Sequence, residues 1–83
     1  MKLTPEELQH RIDHYTAVAE AERQAYKEQL KEYSLFSFYD GKADAYKNLL
    51  KELYPDIGSD RVYPLDLAEF GKQVEQIKAM WKK

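Results

Sequence analysis

The stretch SLFSFYDGKADAYKNLLKELYPD, residues 34–56, decides the fold, because its Asp40-Gly41 pair is compatible with two different structures. An Asp-Gly pair flanked by aromatic residues is a strong signal for a tight β-hairpin. Apolar residues nevertheless continue across the pair at alternating steps of three and four, namely Phe36, Tyr39, Ala43, Tyr46, Leu50 and Leu53. This spacing marks one face of an α-helix, and the residues after the pair lack the alternation of a strand. We therefore predict a helix over about residues 35–54, in which the internal glycine costs about 1 kcal/mol relative to alanine.

A first helix is predicted over about residues 5–33. Residues 4–7, Thr-Pro-Glu-Glu, form a capping box with proline at the first helical position. An apolar stripe with steps of three and four follows, interrupted only by Glu22 and Gln29: Leu8, Ile12, Tyr15, Ala19, Tyr26 and Tyr33. The middle of this helix is rich in alanine, so another helix is expected to approach it closely.

The connection between the first two helices leaves two alternatives open. The phase of the apolar stripe slips between Tyr33 and Phe36, and Ser34 or Ser37 could cap a new helix. A reversal near residues 33–37 is therefore predicted, which makes the two helices a hairpin. The alternative is one continuous helix of about 50 residues, about 75 Å long, which would need an oligomeric partner along its length.

Residues 54–64 contain two prolines, a glycine and Asp and Ser turn formers, and so predict a loop. A third helix is predicted over about residues 66–82, with Asp66 as its N-cap and Glu69 three residues later. Its apolar stripe is uninterrupted: Leu67, Phe70, Val74, Ile77 and Trp81. The predicted fold is thus all-α, a helical hairpin plus a third C-terminal helix. It is a small three-helix or coiled-coil-like bundle that forms a single domain over residues 1–83.

Composition limits the classes of function. The 83 residues include 13 basic and 15 acidic side chains, a net charge of −2, without a basic stripe of the kind that nucleic-acid binding needs. The chain has no cysteine, which excludes disulfides and thiolate metal sites. No apolar run approaches the length of a membrane span, about 18 residues. We expect a cytoplasmic protein that does not enter a membrane and for which nucleic acid is an unlikely partner.

The residues offer little for catalysis or cofactor binding. His10 and His14 lie four apart on the first helix, one turn after Glu6, so these side chains are the candidates for a surface zinc or nickel site. No cysteine or further histidine is available to complete it, so carboxylates of another helix or chain would have to do so. None of the serines has a histidine near it in the sequence. We therefore expect no enzymatic activity, no cofactor and no metal.

The second helix carries more apolar surface than one neighbouring helix can cover. A second apolar flank, including Leu35, Phe38 and Leu49, lies beside its main stripe. In one interpretation the first and third helices cover this wide arc from two sides and complete an ordinary core. In the other interpretation, part of the arc stays exposed as a docking surface. Tyrosine is enriched at protein interfaces, which favours this possibility. The candidate partner-binding residues are Leu35, Phe38, Tyr39, Tyr46, Leu49, Tyr54, Tyr63 and Trp81.

These observations favour a small non-enzymatic protein–protein interaction module, an adaptor or an inhibitor that masks a partner surface. Self-association is expected as well, most simply as a homodimer. The alternatives are a structural coiled-coil self-assembly protein and a small helical nucleic-acid-binding regulator. In its Lys, Glu and Tyr content the chain is similar to short helical proteins encoded by bacteria and their phages. That similarity implies an inhibitor of a host or defence protein as one form of the module.

Overall fold

The computed structural model of the chain describes residues 3–57 and 61–81. Three α-helices follow one another, α1 (Pro5–Lys27), α2 (Phe36–Leu53) and α3 (Leu67–Ala79), and a short 3-10 helix (Pro55–Ile57) follows α2. The described residues contain no strand. The all-α fold and the helical interpretation of Asp40-Gly41 are therefore confirmed. Gly41 lies on an exposed part of α2, where a Cβ atom would meet nothing within 4 Å.

The end of α1 corrects one predicted boundary, because the helix stops at Lys27 rather than near residue 33. The amide of Leu30 donates to the carbonyl of Ala25 at 2.8 Å, and the amide of Gln29 donates to the carbonyl of Tyr26 at 3.2 Å. Gln29 adopts the left-handed conformation, with φ of 62°. This pair of hydrogen bonds around a left-handed residue is a Schellman motif, which closes a helix. The sequence did not indicate this motif, because the left-handed position is usually glycine and is here Gln29.

Residues 28–35 form a non-helical connection between α1 and α2, so the continuous 50-residue helix is excluded. The reversal begins about five residues before the predicted position, which leaves the connection longer than expected. At the other described boundaries the predictions are close, and the predicted end of the third helix near residue 82 lies outside the described residues. The N-cap side chains of Thr4 and Asp66 accept hydrogen bonds from the first turns of α1 and α3, as predicted.

Helix α1 is the central element of the bundle. Both α2 and α3 pack against α1, whereas no Cα atom of α2 lies within 8 Å of one of α3 in the ranges that the structure describes. Leu8 and Ile12 of α1 form one core cluster with Leu50 of α2. Ala17 and Ala21 form a second cluster with Val74 of α3. Of the two interpretations of the apolar arc, the one in which α1 and α3 cover α2 from two sides is thus wrong; α2 and α3 cover α1.

The sequence of α1 explains this arrangement. Leu8 and Ala17 are nine residues apart, which is about two and a half helical turns, so they face opposite sides of α1. The alanines of its middle are almost completely buried: Ala17, Ala19, Ala21 and Ala25. Their small side chains allow helices to pack closely on more than one face of α1. The sequence predicted this close approach for one neighbouring helix.

The segment before α3 is fastened to the N-terminal half of α1. The guanidinium of Arg61 donates two hydrogen bonds to the carboxylate of Asp13, at 3.0 and 2.7 Å. The hydroxyl of Tyr54 donates to the carbonyl of Leu3 at 2.5 Å. The Arg61 contact places the segment before α3 beside Asp13 of α1, and the Tyr54 contact ties the end of α2 to the residue before the N-cap of α1.

Candidate functional site

A buried carboxylate organises the connection between α1 and α2. The side chain of Glu22 is only 2% exposed. It accepts two hydrogen bonds from the ammonium of Lys31, at 2.7 and 2.6 Å, and a third from the backbone amide of Leu35 at 2.9 Å. A buried charge is tolerated when it is paired and its oxygens are satisfied in this way. Glu22 therefore holds both the middle of the connection, through Lys31, and its end, through Leu35.

The C-terminal end of α3 joins the same arrangement. The ammonium of Lys31 lies 4.5 Å from the ring centroid of Trp81 and 4.8 Å from that of Tyr33. Lys78 forms an ion pair with Glu28, in the first turn of the connection, and donates to the side-chain oxygen of Gln24 at 3.1 Å. The hydrogen bond to Glu28 raises the pKa of Lys78. Side chains of α1, the connection and α3 thus hold this end of the bundle together.

Large apolar side chains remain exposed around the organised connection. Tyr26 is 53% exposed, Tyr33 59%, Leu35 36% and Phe38 55%. We call these four residues the hairpin-end patch. They lie at the end of α1, in the connection and at the start of α2, and no other described segment of this length exposes as many large apolar side chains.

A stack of tyrosine rings adjoins the patch. The ring of Tyr15 in α1 lies between those of Tyr39 and Tyr46 in α2, at centroid distances of 6.3 and 5.7 Å. The ammonium of Lys42 lies 5.3 Å from the ring centroid of Tyr15 and 4.9 Å from that of Phe38. Lys42 forms no ion pair with any described residue. The patch therefore has a cationic edge.

The eight candidate partner-binding residues are divided between surface and core. Only Leu35 and Phe38 belong to the hairpin-end patch. Two others, Tyr39 and Tyr46, are half-buried in the tyrosine stack. The remaining four are half-buried: Leu49 and Tyr54 pack against the cluster of Leu8, Ile12 and Leu50, Trp81 packs against the cluster of Ala17, Ala21 and Val74, and Tyr63 lies against His10.

Tyr26 and Tyr33 were not among the residues predicted for the site. Both residues continue the apolar stripe of the predicted first helix, and a stripe residue of a packed helix is expected to be buried. Because α1 ends at Lys27, Tyr33 lies outside the helix and Tyr26 lies in its last turn, where both are exposed. One signal was present in the sequence: Glu22 interrupts the apolar stripe of the first helix, and Glu22 is the residue whose hydrogen bonds hold the connection.

His10 and His14 line an open cleft of about 600 Å³ between α1 and the start of α3. The ring of His10 lies 5.3 Å from that of Tyr63, and the ring of His14 lies 5.2 Å from that of Tyr15. Across the described ranges, no group of three or more His, Asp or Glu side chains is placed to hold a metal ion. The predicted pairing of the two histidines with Glu6 therefore receives no further ligand from α2 or α3.

Asp13 lines this cleft, and its carboxylate is already engaged in hydrogen bonds. Its carboxylate accepts the two hydrogen bonds of Arg61 and a third from the hydroxyl of Tyr63 at 3.2 Å. The hydrogen bond to Asp13 raises the pKa of Arg61. Burial, followed by the nearby Asp13 charge, raises the pKa of Tyr63. This carboxylate therefore fastens the loop before α3 rather than facing the cleft as a free base.

Comparison with protein-family models, curated proteins and solved structures gave no match to this chain. Among the helices of the described residues, none has the length and apolar character needed to cross a membrane.

Proposed function

We propose that the chain is a small, non-enzymatic protein–protein interaction module and that the hairpin-end patch is its contact surface. The observation that supports this proposal is the exposure of four large apolar side chains on and next to a connection that Glu22 holds by hydrogen bonds. Single exposed apolar residues are common on any protein. Several together, with aromatic rings among them, are typical of protein contact surfaces.

The rigidity of the connection favours binding. A loop that must be ordered when a partner binds costs part of the binding free energy, and a loop that is already ordered does not. Glu22 holds Lys31 before Tyr33 and the amide of Leu35 after it, so the residues on both sides of Tyr33 are ordered before any partner binds. The hairpin-end patch is therefore preorganised for binding.

The charge next to the patch indicates the chemistry of the partner. Lys42 covers one side of the Phe38 ring and is not paired with any carboxylate in the described part of the chain. A partner surface with an apolar pocket for Phe38 and a carboxylate beside it would satisfy both groups. We infer that the module acts as an adaptor or an inhibitor in the cytoplasm by covering such a surface on another protein.

We propose in addition that two copies pair through the same patch when the partner is absent. Pairing would remove the exposed rings from water without a change in the fold of either copy. Light scattering over a hundredfold concentration range measures the mass directly. A mass that rises towards that of a dimer supports pairing, and a constant monomer mass contradicts it.

The two alternative functions receive less support from the packing. A coiled-coil assembly protein needs an uncovered apolar stripe on a long helix, and the stripes of α1 are covered by α2 and by α3. A nucleic-acid regulator needs a basic helix, and Lys78 of α3 is buried and paired with Glu28, which leaves Lys72 as the exposed lysine of that helix.

The double variant Phe38→Ser with Tyr33→Ser tests the proposed surface. Both side chains are more than half exposed, so the helical content should be unchanged, as circular dichroism would report. Pairing or partner binding should be lost, since the apolar anchors are gone. The matched control is Leu67→Ser, which removes an exposed leucine of α3 outside the patch and should leave binding intact. Equal effects of the two changes would count against the patch.

A further inference from the structure

A second cleft, of about 400 Å³, lies over α1 between the C-terminal half of α2 and the start of α3. Its floor is apolar and contains one residue from each part of the surrounding structure: Ile12, Leu50, Leu65 and Phe70. Ile12 and Leu50 are only 4% and 6% exposed, whereas Leu65 is 40% exposed and Phe70 is half-buried, so the apolar surface that a ligand could reach is mainly that of Leu65 and Phe70. The volume lies within the range of small-molecule sites, about 300 to 1,000 Å³. None of its lining residues belongs to the hairpin-end patch.

The rim of this cleft is basic although the chain is acidic. Lys47, Lys51 and Arg61 line it together with a single carboxylate, Asp13, so three positive charges less one negative charge give +2. The whole chain carries a net charge of −2. The charge of the rim therefore opposes that of the molecule and attracts anions.

Two of these cations are available to a ligand. Arg61 and Asp13 neutralise one another through their two hydrogen bonds. Lys47 lies 3.7 Å from the exposed carboxylate of Asp44, a distance and an exposure at which an ion pair is weak. Lys51 has no ion pair with any residue in the described ranges. Lys47 and Lys51 are four residues apart on α2 and hence share one helical face above the apolar floor.

We propose that this cleft binds a small amphipathic carboxylate, with an apolar chain or ring on the floor and its carboxylate between Lys47 and Lys51. The apolar floor gains from the removal of its surface from water. The two ammonium groups supply charge-assisted hydrogen bonds, which an uncharged analogue of the same shape cannot accept at full strength. This site is separate from the proposed protein-contact surface, so either proposal can fail without the other.

Octanoate is a suitable probe, and two-dimensional amide NMR can follow its titration up to about 10 mM, the range of weak small-ligand binding. The expected result is a saturable change at amides that surround the cleft, including those of Ile12 and Leu50. Titration with 1-octanol, which has the same chain without the charge, should give much weaker changes. Binding of octanol as strong as that of octanoate, or no saturable change with octanoate, would overturn the proposal.

Variants locate the charge contact. Lys47→Gln with Lys51→Gln should weaken octanoate binding about fivefold, as expected for the loss of two partly exposed charge contacts. Lys72→Gln removes an exposed lysine of α3 that does not line the cleft, and it should leave the affinity unchanged. Both changes are at exposed positions, so the fold is preserved in each. An unchanged affinity in the double variant, or an equal loss in Lys72→Gln, would exclude Lys47 and Lys51 as the anion site.

Discussion

Lys31 lies nine residues after Glu22, yet its ammonium is within 2.6 and 2.7 Å of the two carboxylate oxygens of Glu22. In a continuous helix two residues this far apart would be separated by about 13 Å along the axis. The contact exists because α1 ends at Lys27 and the chain turns back over its last turns. The same carboxylate accepts the amide of Leu35, the residue that precedes α2. One buried side chain thus determines the geometry of the connection and of the hairpin-end patch.

Glu22→Gln should destabilise the fold substantially. It would leave the ammonium of Lys31 without its carboxylate at a site where the Glu22 side chain is almost fully buried. Removal of one partner of a buried ion pair typically costs about 3 to 5 kcal/mol, a large part of the stability of a domain of this size. Urea unfolding followed by circular dichroism measures the change. Glu32→Gln, at an exposed position of the connection, is the control and should change the free energy of unfolding by less than about 0.5 kcal/mol.

A double-mutant cycle separates the pair from its surroundings. The loss of unfolding free energy in the double variant should differ from the sum of the losses in Glu22→Gln and Lys31→Met by at least about 1 kcal/mol. The reason is that each single variant leaves the other group unpaired. Additive free energies would mean that the contact between Glu22 and Lys31 does not stabilise the connection.

Gln29→Gly should stabilise the protein. Gln29 has a positive φ of 62° at the end of α1, a conformation that costs an ordinary residue about 1 kcal/mol and that glycine adopts freely. The expected gain is about 0.5 to 1 kcal/mol in the free energy of unfolding. Gln29→Ala retains the Cβ atom and should give no gain. Gln29→Val, with its branched Cβ, should destabilise. A loss of stability in the glycine variant would contradict the Schellman motif.

The course of α1 shows how far the sequence can predict this fold. The apolar periods identified all three helices, and capping residues identified the starts of α1 and α3, because both signals are local. The predicted caps of α2 were wrong, since its N-cap is Leu35, without a side-chain hydrogen bond, rather than Ser34 or Ser37. The end of α1 is set by two backbone hydrogen bonds around Gln29 and by the burial of Glu22, and neither has a local signal in residue type. Apolar stripes identify buried faces but not the neighbour that covers each face, so the central position of α1 was not predictable from them.

Leu50→Ala and Phe38→Ser should differ sharply in their effects on stability. Leu50 is nearly buried between the two helices and contacts Leu8 and Ile12, so its truncation leaves a cavity and should cost about 2 to 4 kcal/mol. Phe38 is exposed, and its replacement should change stability by less than about 1 kcal/mol. Thermal and urea unfolding measure both. A comparable loss in the two variants would assign Phe38 to the core.

The contrast between these residues also explains what the sequence predicted of the candidate site. Leu49 and Phe38 lie on the same apolar flank in the sequence, but Leu49 packs onto the core cluster around Leu50 and Phe38 does not. Helical periodicity places both on one side of α2 and carries no information on where α1 stops covering that side. Tyr26 and Tyr33 were missed for the related reason that their exposure follows from the early end of α1.

Stability should fall at high pH partly through Tyr63. Burial and the carboxylate of Asp13 raise the pKa of Tyr63 above its usual value of about 10, so the folded state favours the protonated phenol. The contribution of Tyr63 to stability is fully present below the pKa that Tyr63 has in the unfolded chain. It is lost as the pH rises through the higher pKa that Tyr63 has in the folded protein. In Tyr63→Phe, the decrease in the free energy of unfolding between about pH 9 and pH 11 should be smaller than in the original chain. An unchanged decrease in this variant would show that Tyr63 does not contribute.

Site-specific photo-crosslinking in the cells that express the chain tests the proposed function most directly. A benzophenone amino acid would replace Phe38 in the patch and, in a control, Leu67, which is exposed outside it. An interaction module predicts a discrete adduct with a different protein from position 38, no such adduct from position 67, and its loss when Tyr33→Ser is added. Adducts that contain only a second copy of the chain, or the same adducts from both positions, would contradict a partner-binding role for the hairpin-end patch.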